Sequence, residues 1–399
     1  MTLAAPPARP PRDARVTDSG AIVCTELRLR NYRNFEELRL ELPAGGAAII
    51  GDNGSGKTNL VEAVYYLEIF RSFRGAADEQ LVRFGEDAFF IRGRFQDAAG
   101  RVTEVTAAYE PRTRTKRVTV DGVEPARLSD ALGHLGAVVF SPSDLQIVAG
   151  GPGERRRFLD IVLSLNVPGY LNALQRYRHV LRQRNAMLRA QVAGAVLEAF
   201  DEGMVQAAAS LIADRAHWVA EHSPRFCERF REISDGRAAN LRYHSDVQLA
   251  DAHDVQAAAL ALRERLARVA PRERERGVTL AGPHRDDLGI VLETDEQGVD
   301  LRQYGSGGQL RTGAIALRLV EADTIQAARG CRPLMLLDDV FAELDPGRSR
   351  RIIRLFQQGN HGQVLLTSPK ETDVDLGPLA DSSAHDVARW HIAHGRIAP

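Results

Sequence analysis

Residues 51–58 read GDNGSGKT, that is Gly51, Asp52, Asn53, Gly54, Ser55, Gly56, Lys57 and Thr58. They meet every fixed position of the pattern GxxxxGK[ST]. Glycines let a backbone wrap closely around phosphate, the lysine is a compact charge for the outer phosphates, and the hydroxyl holds Mg²⁺. Lysine occurs only at positions 57, 116 and 370, so arginine supplies the other 49 of the 52 basic side chains. A planar guanidinium cannot replace a point charge inside a tight loop, and here the basic residue is lysine. The flanks agree. Residues 47–50 (AAII) form a short β-type run before the loop, and Leu60, Val64 and Leu67 recur after it at helical spacing. Strand, glycine loop and helix in that order predict an α/β fold around a nucleotide phosphate.

Such a loop needs a carboxylate at the end of a neighbouring buried strand to complete the Mg²⁺ shell. Residues 334–338 (LMLLD) supply it as Asp338, and Asp339 follows where a general base would face water. Asp345 precedes Pro346, an N-cap and first-turn pair for the next helix. About 30 residues before the strand, residues 306–309 read SGGQ and open a predicted helix over 310–328. Ser306, Gly307, Gly308 and Gln309 at a helix start are an anion site. A nucleotide at residues 51–58 already has its phosphates wrapped, so a second phosphate site implies a second chain closing over it.

The order GDNGSGKT, YGSGGQLR, LLDDVFAELD resembles the ABC-type head ATPases. More narrowly, NYRNF (31–35), GPGERRRFLD (151–160) and GPHRDD (282–287) are similar to the RecF family of bacterial recombination mediators, related to the SMC-type heads. The resemblance spans about residues 23–370. It implies an ABC-type P-loop head built from both ends of the chain, with ATP and Mg²⁺ as cofactors. It further implies an ATP-dependent homodimer on double-stranded DNA near gaps, and work with RecO and RecR in loading RecA. Residue by residue, it implies Lys57 and Thr58 on phosphate and Mg²⁺, Asp338 on Mg²⁺, and Asp339 as base. Ser306, with Gly308 and Gln309, acts across the dimer, and Asp345 lies in the dimer-spanning loop. Two departures stand out: Asp339 replaces the usual glutamate, and Thr367 stands where a switch histidine is usual, His361 reading as a loop histidine. The shorter base predicts slow hydrolysis. GPHRDD reads as a charged turn between two strands, 278–280 and 288–292, and its spacing gives no role.

Partners other than nucleotide must be met locally, because the formal net charge is −1. Residues 154–198 carry eight arginines, among them Arg178, Arg182 and Arg189, against three acidic residues. A second cluster, Arg112, Arg114, Lys116 and Arg117, precedes a DG turn at residues 121–122 that reads as a hairpin. Both are expected phosphate contacts without base reading. Arg71 and Arg74 follow the loop helix and read either as ATP or DNA sensors or as helix-end partners. The domain reading is a tail over 1–20, an N-terminal ATPase part over 21–153, a helical insertion over 154–276 and a C-terminal ATPase part over 277–399. Pro168, Gly203, Pro224, Gly236 and Pro271 are expected to break the insertion into short helices, with no heptads for a coiled coil. The three cysteines (Cys24, Cys227, Cys331) fit neither a disulfide framework nor a zinc site, so a cytoplasmic setting is expected. The longest uncharged stretches, 161–175 and 355–369, are too short to span a membrane. An ABC-type ATPase serving a transporter or another protein partner without DNA remains the alternative. A long-armed SMC-type ATPase and a purely regulatory ATP module are less supported.

Overall fold

The strand preceding the glycine loop pairs on one side with residues 364–368 and on the other with 388–391, so the two ends of the chain share one sheet. The computed structural model describes residues 20–192, 195–234, 236–247, 254–294, 297–341, 344–358, 362–369, 387–393 and 395–398. Its strands are β1 (Val23–Tyr32), β2 (Phe35–Glu41), β3 (Gly46–Ile50), β4 (Phe89–Gln96), β5 (Val102–Glu110), β6 (Thr115–Val120), β7 (Ala137–Phe140), β8 (Ala239–His244), β9 (Asp287–Leu292), β10 (Val299–Asp300), β11 (Leu334–Asp338), β12 (Val364–Ser368), β13 (Ala388–Ala393) and β14 (Arg396–Ala398). Its α-helices are α1 (Lys57–Ile69), α2 (Leu145–Ala149), α3 (Pro152–Asn166), α4 (Tyr170–Arg189), α5 (Ala195–Ser234), α6 (Val255–Arg276), α7 (Leu301–Tyr304), α8 (Gly307–Arg329) and α9 (Pro346–Gln358).

The central sheet has the order β14-β13-β3-β12-β11-β7 and is parallel except for β14. Its inner strands β3, β11 and β12 are buried along their whole length, as apolar runs in a sheet covered on both faces must be. An antiparallel sheet, β2-β1-β4-β5-β6, lies over α1. The helix expected from Leu60, Val64 and Leu67 is α1, and clamped between two sheets it is buried on all sides. Its two internal carboxylates are each paired. Glu62 takes two bonds of 2.9 Å from Arg33, and Glu68 accepts the Leu135 N–H at 2.8 Å.

The expected insertion is less simple than its composition. A third sheet, β10-β9-β8, takes β8 from within 154–276, so that stretch is not all helical. Of the expected breakers, Pro168 falls between α3 and α4 and Gly236 between α5 and β8, but the other three do not break the stretch. The 40-residue α5 runs through Gly203 and Pro224, and α6 runs through Pro271. An internal proline costs about 3 kcal/mol. Packing of Met204, Ala208, Ile212, Trp218 and Phe226 into the cluster shared with α4, α6 and α8 outweighs it. The DG turn at 121–122 closes only a single bridge, Val120 to Val123; the long β5–β6 hairpin turns at residues 111–114. Residues 278–280 form no strand, and β12 continues through Thr367. The tail apart from Gly20, Ala342 and Glu343 of the AELD stretch, and His361 lie outside the described residues. α8 carries Leu317 and Val320 into the insertion's core and Leu319 and Ile325 into the core under the central sheet, so it joins the two.

Candidate nucleotide-binding site

The loop leaves β3 and turns into α1 through two left-handed glycines, Gly54 (φ 83°) and Gly56 (φ 117°). At Gly56 a Cβ would come within 2.5 Å of Asn34 Nδ2. That amide is a staple: Asn34 donates to the Ser55 carbonyl at 2.9 Å and accepts from Asn59 Nδ2 at 2.8 Å. Asn34 belongs to the NYRNF stretch, whose chemistry the sequence did not reveal. Lys57 is 3 % exposed, and its ammonium donates to the carbonyls of Gly51 (2.7 Å) and Asp52 (3.1 Å). Among the described residues the buried Ser55 hydroxyl has no hydrogen-bond partner. A glycine cradle, a buried cation and an orphan hydroxyl fit a bound phosphate chain.

At the tip of β11 two hydroxyls converge on one carboxylate oxygen. Thr58 and Thr367 each donate to Asp338 Oδ1 at 2.9 Å. Burial pushes the Asp338 carboxyl above the usual aspartate range, while the two hydroxyls and the Arg74 charge pull it back. Oxygen donors of this kind suit a hard cation such as Mg²⁺. Asp339 follows with φ 47°, its N–H donating to Thr367 Oγ1 at 3.0 Å and its Oδ1 lying 3.4 Å from the same hydroxyl. Thr367 thus touches both aspartates. Asp339 also lines an open cleft of about 430 Å³ with Ser141, Asp144 and Arg311. Arg74 extends to Asn59 Oδ1 (3.4 Å) and its charge reaches Asp338, which puts it at the loop rather than on the end of α1.

Ser306 is the N-cap of α8. Its hydroxyl accepts the Gln309 N–H at 3.3 Å, and Gln309 Oε1 accepts the Ser306 N–H at 2.7 Å, a closed capping box. Asp345 caps α9 by accepting the Arg348 N–H at 3.0 Å. Among the described residues, no hydrogen bond or ion pair joins residues 306–309 to residues 51–58.

The chain matches the family model RecF/RecN/SMC N terminal domain over residues 23–377. It is 38% identical over 379 residues to the DNA replication and repair protein RecF of Anaeromyxobacter sp. strain K, covering 94% of this chain and 98% of that protein. To the RecF of Geobacillus thermodenitrificans it is 35% identical, covering 86% and 92%. The chain belongs to the RecF family. A solved RecF structure described as the recombination mediator RecF with ATP, in the RecFOR pathway, superposes with a TM-score of 0.85 at 29% identity, over 96% of this chain and 99% of that one. An Smc head domain from Pyrococcus furiosus shares the fold at a TM-score of 0.56 and 15% identity. The fold is therefore the ABC-type ATPase head of RecF and SMC proteins.

The RecF-type basic stretches divide once partners are counted. On α4, Arg178, Arg182 and Arg189 share one exposed face, by the 3.6-residue period, although Arg178 also donates to Asp160 at 2.9 Å. Two other arginines of the stretch are internal: Arg155 bonds both oxygens of Asp287 (2.7 and 2.8 Å), and Arg184 is 2 % exposed. Arg114 is exposed at the turn of the β5–β6 hairpin, and Arg112 pairs with Asp87 at 3.0 Å. Lys116 is a correction. Its ammonium binds the Phe70 carbonyl and Asp78, each at 2.7 Å, above the Tyr66 ring, so it is spent on internal structure.

GPHRDD acquires a structural role, bonded to α3, α4, α5 and β8 of the insertion. Arg215 donates to the Pro283 carbonyl at 2.7 Å, and Arg156 to that of Asp286 at 2.7 Å. Tyr243 bonds the Asp286 carboxyl. His284 bonds the Tyr177 hydroxyl through Nδ1 and the Thr279 carbonyl through Nε2 at 3.2 Å. A carbonyl only accepts, so Nε2 carries the proton and Nδ1 accepts from tyrosine. Burial, with Arg285, Arg156 and Arg184 nearby, lowers the His284 pKa to about 4 from 6.5. The unfolded chain therefore takes up this proton first. Stability is intact above pH 6.5 and is lost as pH falls to about 4, by about 3 kcal/mol for this group. His284→Asn should flatten that window in urea-denaturation curves taken at stepped pH; an unchanged slope would refute the assignment.

Proposed function

We propose that this chain is an ATP-dependent DNA-binding protein of recombinational repair and replication-gap processing. The observation that carries the reading is the phosphate loop, with Lys57 buried beneath it and Thr58 bonded to Asp338, in a chain whose relatives are RecF proteins solved with ATP. Lys57 and the loop amides would hold the phosphates, with Thr58 and Asp338 on Mg²⁺. The metal, when bound, neutralises phosphate charge. Asp339 would accept a proton from water, and Thr367, bonded to Asp338 and near Asp339, keeps the two carboxylates in register.

In this reading two chains close head to tail, the SGGQ end of each meeting the nucleotide of the other. The absence, among the described residues, of any hydrogen bond or ion pair between residues 306–309 and residues 51–58 is compatible with this. ATP then acts as a switch by binding the dimer better than the monomer. The closed pair holds double-stranded DNA near gaps through Arg178, Arg182 and Arg189 and through Arg112 and Arg114. RecO and RecR are the expected partners, and RecA loading the outcome. Aspartate sets its carboxylate back by about 1 Å relative to glutamate, so hydrolysis should be a slow timer, with a turnover below about 1 per second. Steady-state phosphate release with DNA present measures it, and a rate well above that removes the timer.

Fluorescence anisotropy of a labelled gapped duplex tests the whole reading, with and without ATP and Mg²⁺, at two salt concentrations. Binding should require ATP and weaken with salt, and Ser306→Arg should abolish it while nucleotide binding at Lys57 persists. ATP binding with no DNA binding in any condition would instead favour a protein partner.

A further inference from the structure

The signature serine is not alone at the start of α8. Arg348, in the first turn of α9, lays its guanidinium over Gly308: a Cβ built there would stand 2.1 Å from Nη1 and 2.8 Å from Cζ. The same guanidinium donates to Asp345 Oδ2 at 2.9 Å, and that carboxylate is half-exposed. The first turn of a helix carries partial positive charge from its free N–H groups. A guanidinium beside it therefore has the wrong sign for the helix and is tolerated because Asp345 neutralises it. For a phosphate entering that spot both features have the right sign, and a guanidinium matches phosphate oxygens through two parallel N–H groups. Among the described residues, no hydrogen bond or ion pair joins Arg348 to residues 51–58, its side-chain partner being Asp345. Tyr304, two residues before Ser306, exposes 69 % of its surface at the same edge, an uncovered ring suited to contact with another protein surface.

We propose that Arg348 supplies a cation to the γ-phosphate of ATP held in the phosphate loop of a second copy of this chain, exchanging Asp345 for the phosphate as the two copies close. The proposal rests on the head-to-tail reading above. It adds a reader for the third phosphate: with ADP, Arg348 stays on Asp345 and closure gains nothing from it.

The test compares wild type, Arg348→Ala, Arg348→Lys and Ser306→Arg as full-length chains. Sedimentation velocity with ATP or ADP and Mg²⁺ reads association, and a fluorescent ATP analogue reads nucleotide binding by dilute monomer. Arg348→Ala should bind the analogue as wild type does. Its ATP-driven association should weaken about tenfold per site, about a hundredfold for two symmetric sites, with the ADP sample unchanged. Arg348→Lys should recover part of the loss with ATP and leave the ADP sample unchanged, and it is this nucleotide dependence that a merely structural pair with Asp345 would not predict. Gly308→Ala gives a second route, since its methyl displaces the guanidinium while leaving Arg348 in the chain, and it should cost little further in the Arg348→Ala background. Association of Arg348→Ala equal to wild type, with Ser306→Arg monomeric, overturns the Arg348 contact and leaves the head-to-tail reading standing. A wild type that stays monomeric with ATP overturns both.

Discussion

Replacing Lys57 with alanine is expected to remove measurable ATP binding, a loss of at least a hundredfold, while the protein stays folded. Lys57 is 3 % exposed, and its ammonium rests on the carbonyls of Gly51 and Asp52, two groups of the loop. A charge-assisted hydrogen bond contributes about 1.5–3 kcal/mol, so two phosphate contacts account for a factor of a hundred or more. The fold should survive because α1 is fixed by the burial of Leu60, Val61, Val64 and Leu67 in the hydrophobic core. Lys57→Arg should fail almost as badly, since a planar fork cannot occupy a channel shaped for a tetrahedral point charge. Thr58→Ala should behave differently, weakening the Mg²⁺ dependence more than nucleotide binding in its absence. Isothermal titration with ATP, with and without Mg²⁺, separates the three variants. Binding by Lys57→Ala at wild-type affinity would remove the loop from the site, and the two-chain reading with it.

The chemistry-bearing segments were legible because each is local. Eight consecutive residues specify the phosphate loop, five a buried strand with its terminal aspartate, and four a helix start. What the sequence could not reveal is who neutralises whom. Lys116 reads as a free cation until Asp78 and the Phe70 carbonyl are found beside it, 38 and 46 residues away in the chain. Arg155 adds to a basic window yet spends its charge on Asp287, 132 residues on. A charge count along a window measures composition, whereas a surface potential depends on exposure. Pro168 and Gly236 do separate elements, whereas Gly203, Pro224 and Pro271 failed as breakers for a related reason. Pro224 and Gly203 lower local helix propensity, but α5 packs against α3, α4, α6, α8, α9 and β8, and tertiary burial decided its length. Asn34 left no chemical signal because its partners, the Ser55 carbonyl and Asn59, lie in another segment, and Arg348 left none because only the fold lays it over Gly308.

Arg184→Ala is expected to destabilise the insertion by about 3–5 kcal/mol, the typical cost of leaving a buried charge unpaired. Arg184 joins three segments: it donates to Asp201 on α5, to Glu273 on α6 at 2.7 Å and to the Thr279 hydroxyl at 2.8 Å, just before GPHRDD. Glu273 has no exposed surface and would keep only the Leu280 N–H, at 2.6 Å. One backbone donor does not solvate a buried carboxylate, so the helices either part to admit water or the carboxyl takes up a proton. The companion variant decides between lost packing and stranded charge. Arg184→Met with Glu273→Leu removes both charges and keeps the volume, and should recover most of the lost stability. Differential scanning calorimetry of the three proteins reads this directly, as a fall of several degrees in Tm for Arg184→Ala and a near-return for the double variant. A double variant as unstable as Arg184→Ala would mean that Arg184 acts through its stem and not its charge. The effect should reach function, because α4 carries both Arg184 on its buried face and Arg178, Arg182 and Arg189 on its exposed one. Loosening the first should blur the second, and DNA affinity should fall for Arg184→Ala and return for the double variant while ATP binding at the loop remains constant.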